Sequence, residues 1–163
     1  MTKPTGRARE KAAEVEWQIA FFRSANQTPG LAWLQALDQD VRRQYLIWLA
    51  ALRLWRPGPY ALPAGVPWWH AMKDDMKGIY EMRDQHGKMN YRLFCVLDAK
   101  GPLRGLSAPV VAILGGASKP EGEEMHEREY ERIRAYRDAY NAANPRPVAV
   151  PLGLERWYPA VKP

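Results

Sequence analysis

A single cysteine, Cys95, occurs in the whole chain, which excludes a disulfide framework and a thiolate metal cluster. Long apolar runs are also missing. The longest is Tyr45 to Leu52, eight residues, far short of the ~20 needed to cross a hydrocarbon core. Met1 to Lys11 carry positive charge but lead into no apolar segment, so no secretory signal is expected and the expected location is the cytoplasm. The histidines His70, His86 and His126 show no His-x-x-x-His spacing and no carboxylate cluster, so neither a metal nor a cofactor is expected. The run Gly115, Gly116, Ala117, Ser118, Lys119 lacks the Gly-x-x-x-x-Gly-Lys-Ser/Thr order of a phosphate-cradling loop, which argues against a nucleotide site.

What the chain does hold is enough for one compact domain: 163 residues, 47% apolar and 26% charged, with a net charge of +6. That balance excludes collagen-like, coiled-coil and globally disordered chains. The charge is uneven. Glu121 to Asn141 holds seven acids against four arginines, so a local −3 leaves +9 on the rest. Arginines outnumber lysines sixteen to eight, and arginine suits planar, bidentate phosphate contacts. The composition points to a polyanionic partner.

The patterning divides the chain into a basic arm (1–14), a domain (15–141) and a proline-rich tail (142–163). Val15, Trp17, Ile19 and Phe21 alternate with Glu16, Gln18 and Ala20, the period of a strand with one buried face. Phe22 breaks the alternation and predicts some cover on the second face. Leu31 to Leu37 and a second segment ending at Trp55 predict a helical hairpin, with Asp38 or Asp40 as a cap. Val41, Tyr45, Trp48, Leu49, Leu52 and Trp55 form its apolar stripe. Tyr60 to Trp69 is expected to be a loop. Ile79 to Arg83, Tyr91 to Leu97 and Val110 to Leu114 predict strands, the last stopped by Gly115 and Gly116. Glu121 to Asn141 predicts a helix packed through Met125, Ile133, Tyr136 and Tyr140. The expected class is α+β: a small antiparallel-rich sheet, an N-terminal helical hairpin and a C-terminal helix.

The residues with chemistry cluster around the two central strands. Alternation puts Ile79, Glu81 and Arg83 on one strand face, and Arg92, Phe94 and Val96 on one face of the next. A hairpin can therefore set Arg83 beside Arg92. Two adjacent like charges call for an anion between them, either Glu81 or a bound phosphate; an ordinary exposed ion pair is the plainer alternative. His70 follows Trp68 and Trp69 and is either a general acid or base or a packed ring. Lys73 and Lys77 either reach one phosphate or stay solvated, and Lys119 sits where a strand gives way to a helix. Trp68 and Trp69 either stack on bases or pack a loop. Cys95, between Phe94 and Val96, reads as a buried thiol.

Gly78-Ile-Tyr-Glu-Met-Arg83 is similar to the Gly-Leu-Tyr-Glu-Leu-Arg strand of the RelE/HigB toxins of bacterial type II toxin–antitoxin systems, phage-derived relatives included. Asn90-Tyr-Arg-Leu-Phe94 resembles their Tyr-Arg strand, and Ala112 to Pro120 resembles the strand before their last helix. The resemblance runs from Val15 to Tyr140. It implies a RelE-like fold and a metal-independent endoribonuclease that cuts mRNA on the ribosome, inhibits growth and is neutralised by a co-encoded antitoxin, expected to be a helix-turn-helix protein. By the same resemblance Arg92 is the phosphate-contacting arginine, Arg83 and Lys119 are further cations, and His70-Ala-Met-Lys73 matches a His-Pro-Leu-Lys segment whose histidine takes part in cleavage. The base is left open between His70 and Glu81, and the acid between His70 and a tyrosine such as Tyr91. Lys73, Lys77 and Tyr91 are the expected RNA-binding residues. A ParE-like inhibitor of DNA gyrase and a non-catalytic phage-derived binding protein are the alternatives on the same fold.

Overall fold

The computed structural model describes residues 16–55, 58–61 and 66–149. The arm 1–14 and the tail beyond Ala149 lie outside the described residues. The elements run β1 (Gln18–Phe22), α1 (Pro29–Ala36), α2 (Gln39–Leu54), β2 (Trp69–Ala71), β3 (Ile79–His86), β4 (Met89–Asp98), β5 (Val110–Pro120), α3 (Glu127–Ala142) and β6 (Val148–Ala149). The strands form one mixed sheet in the order β2-β3-β4-β5-β1-β6. Only β1 and β5 run parallel; the remaining neighbours are antiparallel. The class is α+β. No helix among the described residues is long and apolar enough to cross a membrane.

The sheet is covered on both faces, and strand alternation sorts the core between them. Ile19 and Phe21 of β1 face α1 and α2, in a cluster with Leu34, Tyr45, Leu49, Met82, Leu93, Cys95 and Ile113. Ala20 and Phe22 face α3, with Ile79, Phe94, Val96, Leu114, Ile133 and Tyr140. The second face of β1 that Phe22 hinted at is thus buried. On α2 the expected stripe holds at Val41, Tyr45, Leu49 and Leu52, while Trp55 is exposed. Asp38 occupies the N-cap position, but its side chain makes no capping hydrogen bond.

Four expectations fail for physical reasons. The stretch Tyr60 to Trp69 ends in β2, a three-residue edge strand too short for any period to show. The hairpin turn is only Gly87 and Lys88, shorter than the gap between the predicted strands Ile79 to Arg83 and Tyr91 to Leu97, because β3 and β4 pair from Ile79↔Val96 to His86↔Met89. Gly122 at φ +84° turns the chain after β5, so α3 begins at Glu127 and Met125 packs from the loop before it. Gly115 and Gly116 do not stop β5, which continues to Pro120.

Those two glycines are instead places of close approach. A Cβ on Gly116 would lie 2.1 Å from Cδ2 of Trp33 in α1, whereas one on Gly115 would meet Ile133 Cδ1 at 3.1 Å. Trp33 therefore needs a bare backbone beneath it. Gly116→Ala is expected to cost about 3 kcal/mol by overpacking, lowering Tm by roughly 6–12 °C, and Gly115→Ala clearly less. Thermal denaturation of the two variants checks the difference.

Candidate active site

Three strand registers bring the site together. Residues directly paired across neighbouring strands point to the same face. His70 in β2 pairs with Glu81 in β3. Arg83 pairs with Arg92 in β4, as the alternation predicted. Arg92 pairs in turn with Ala117 of β5, and Asn90 with Lys119. His70, Glu81, Arg83, Arg92 and Lys119 therefore share the face that α3 covers in part. Lys119 owes its place to a bulge: Phe94 pairs with Gly115 but Cys95 with Ile113. The unpaired Leu114 shifts the alternation by one residue, so Leu114 and Ala117 both face α3 and Lys119 joins them.

Glu81 lies at the centre and is 2% exposed. Arg83 Nε donates to Glu81 Oε1 at 2.6 Å, and Arg83 Nη2 forms an ion pair with the same oxygen. Arg92 Nε stands 3.7 Å from Oε2, an ion pair rather than a hydrogen bond. Arg92 also donates one long hydrogen bond, from Nη1 to the Tyr91 carbonyl at 3.4 Å. Of the two anions weighed between the arginines, the protein supplies the carboxylate itself. The trio keeps one net positive charge, with guanidinium donors on Arg92 left for a ligand.

His70 Nε2 lies 2.9 Å from the carbonyl oxygen of Pro67. A carbonyl only accepts, so Nε2 carries the proton and Nδ1 is the nitrogen open to proton exchange. Lys119 Nζ donates to the Glu123 carbonyl at 2.6 Å, which ties its ammonium to the loop before α3. Lys73 and Lys77 flank a short 3-10 turn, Asp74–Met76, and both are exposed. Arg137 of α3 donates to the Asp75 and Lys77 carbonyls at 2.7 and 3.2 Å, fastening that turn by its backbone.

One expectation about the site needs correction. Tyr91 adjoins Arg92 in β4 and so points to the opposite face, where its ring packs 6.4 Å from that of Trp33. It does not share a face with the two arginines. Of the two alternatives for Trp68 and Trp69, the packed one holds: Trp68 stacks on Trp48 at 5.2 Å, and Trp69 on Tyr80 at 5.0 Å. Cys95 is fully buried, and burial pushes its thiol well above the ordinary value, away from the thiolate.

The pattern also missed Tyr130 and Arg132 of α3. The Tyr130 ring meets Phe94 edge-on at 6.2 Å. Burial raises its phenol, with Glu81 adding to the shift and Arg92 and Arg83 opposing it. Arg132 donates to the Gly116 carbonyl at 3.0 Å and to Glu129 at 2.5 Å. Tyr130 sits three residues before the buried Ile133, a helical spacing the stripe from Met125 passed over. Among the described residues no group of three or more His, Cys, Asp or Glu is placed to hold a metal ion. Comparisons with protein-family models, curated proteins and solved structures return no match.

Proposed function

We propose that the chain is the toxin of a type II toxin–antitoxin pair, a RelE/HigB-like endoribonuclease that cuts mRNA on the ribosome. One observation supports this reading above the others. The residues that the motif resemblance selects from four separated segments, His70, Arg83 with Glu81, Arg92 and Lys119, fall on one face of one sheet. Packing alone does not require a histidine and three cations there.

In the proposed reaction the RNA 2′-hydroxyl attacks its adjacent phosphorus. A 2′,3′-cyclic phosphate forms, and the bond to the 5′-oxygen of the next nucleotide breaks. The transition state gains negative charge on the phosphate oxygens, which Arg92 and Lys119 are placed to offset. Nδ1 of His70 exchanges the proton, either taking it from the hydroxyl or delivering it to the leaving oxygen. Dependence on the attacking hydroxyl makes the substrate RNA rather than DNA. The partners in this reading are ribosome-bound mRNA and an acidic surface of a helix-turn-helix antitoxin covering the cationic face, and the location is the bacterial cytoplasm.

Induction of the protein in a bacterial host, followed by primer extension on cellular mRNA, tests the proposal. Growth arrest with breaks at defined mRNA positions is the expected result. Arrest with DNA damage and intact mRNA would assign the chain to gyrase inhibition instead. Normal growth with intact mRNA would leave a non-catalytic binding protein.

A further inference from the structure

We infer that Glu81 is a positioning residue for Arg92 and not the base of the reaction, an inference that rests on the nuclease reading for its kinetic consequence. A base needs an oxygen that the substrate hydroxyl can reach. Glu81 is 2% exposed, and neither oxygen is open. Oε1 takes two donors from Arg83, and Oε2 faces Arg92.

The two arginines are not equivalent around it. Arg83 is half-exposed and spends two of its nitrogens on Oε1, so it locks the carboxylate in place. Arg92 is 16% exposed and only attracted to Oε2 across 3.7 Å, so apart from the long bond of Nη1 to the Tyr91 carbonyl its donors stay unspent. Arg83 and Arg92 are direct cross-strand partners, and like charges at that spacing push each other's side chains apart. The carboxylate between them removes that repulsion. It holds the Arg92 guanidinium in place before any phosphate arrives, which is how electrostatic preorganisation works. Arg83 thus acts through Glu81, and Glu81 acts through Arg92.

Glu81→Gln keeps the shape and the acceptor for Arg83 but removes the charge that holds Arg92. Two measurements test it: single-turnover cleavage of ribosome-bound mRNA across pH 5–9, and the NMR order parameter of the Arg92 Nε–H with and without inorganic phosphate. The expected result is a loss of about 10-fold in rate at every pH, with both limbs of the profile kept. In the absence of phosphate the Arg92 order parameter should fall below about 0.6. A loss of about 10²–10⁴-fold together with disappearance of the ascending limb would make Glu81 the base and overturn the inference. So would an unchanged rate and order parameter, which would leave Glu81 a plain ion-pair partner. If the wild-type protein cuts no RNA, the nuclease reading fails, and the order parameter alone decides the positioning role. If Glu81→Gln does not fold, Arg83→Gln frees the same carboxylate from its exposed side and should lower the Arg92 order parameter too.

Discussion

Arg92→Ala is expected to reduce mRNA cleavage by about 10²–10³-fold, the usual loss on removing one donor from a developing oxyanion, and to abolish growth arrest. The fold should survive. Glu81 keeps its hydrogen bond from Arg83, Arg92 contributes only a 3.7 Å ion pair, and Phe94 and Leu93 beside it stay packed in the two cores. Circular dichroism and a Tm close to wild type check the fold, and single-turnover cleavage checks the rate. Arg92→Lys should recover only part of the loss, since a point charge lacks the planar fork that holds two phosphate oxygens at once. Arg83→Ala should cost less, because two of the Arg83 nitrogens are already engaged with Glu81.

The second large effect concerns stability and lies at the far end of α3. Asp98, 8% exposed, accepts from the Tyr140 hydroxyl at 2.8 Å and from the Lys100 amide at 3.1 Å, and Arg146 Nε lies 3.2 Å from the same carboxylate. Arg146 Nη1 also donates to the Tyr140, Asn141 and Ala143 carbonyls at 2.9, 2.6 and 3.4 Å. These acceptors include carbonyls that a helix leaves free at its C-terminus. One guanidinium thus closes α3, neutralises a buried acid and holds the segment that leads to β6. Arg146→Ala is expected to destabilise by about 3 kcal/mol, at the low end for breaking a buried pair because Asp98 retains two other donors. The corresponding fall in Tm is roughly 6–12 °C. Thermal unfolding of Arg146→Ala beside Asp98→Asn checks this, with the asparagine variant expected to lose less. Cleavage by either variant at a temperature below its transition should match wild type, since Asp98 and Arg92 stand toward opposite ends of β4.

The central hairpin was legible from sequence because alternation in β3 and β4 is local. Glu81, Arg83, Arg92 and Phe94 could be assigned faces residue by residue, and the Arg83↔Arg92 register followed. That same alternation puts Tyr91 on the face opposite Arg92. The helix α2 was legible from the spacing of Val41, Tyr45, Leu49 and Leu52. The β2 and β6 edge strands were not, because three and two residues show no period. Nor was the parallel pairing of β1 with β5, whose partners Gln18 and Val110 lie far apart in the chain. Gly115 and Gly116 read as a stop because a glycine that ends a strand and one that admits a tryptophan look alike in sequence. The bulge at Leu114, which sends Lys119 to the cationic face, has no local signature either.

The cationic face is best challenged at the RNA ends it should leave. Attack by a 2′-hydroxyl leaves a 5′-hydroxyl on the downstream fragment, so mapping cellular RNA 5′-hydroxyl ends after induction reads the chemistry itself. The wild-type protein should produce such ends at defined positions within translated mRNA, and the Arg92→Ala variant should produce none above background. An Arg92→Ala pattern matching that of wild type, or wild-type growth arrest without any new 5′-hydroxyl ends, would contradict the assignment of RNA cleavage to this face.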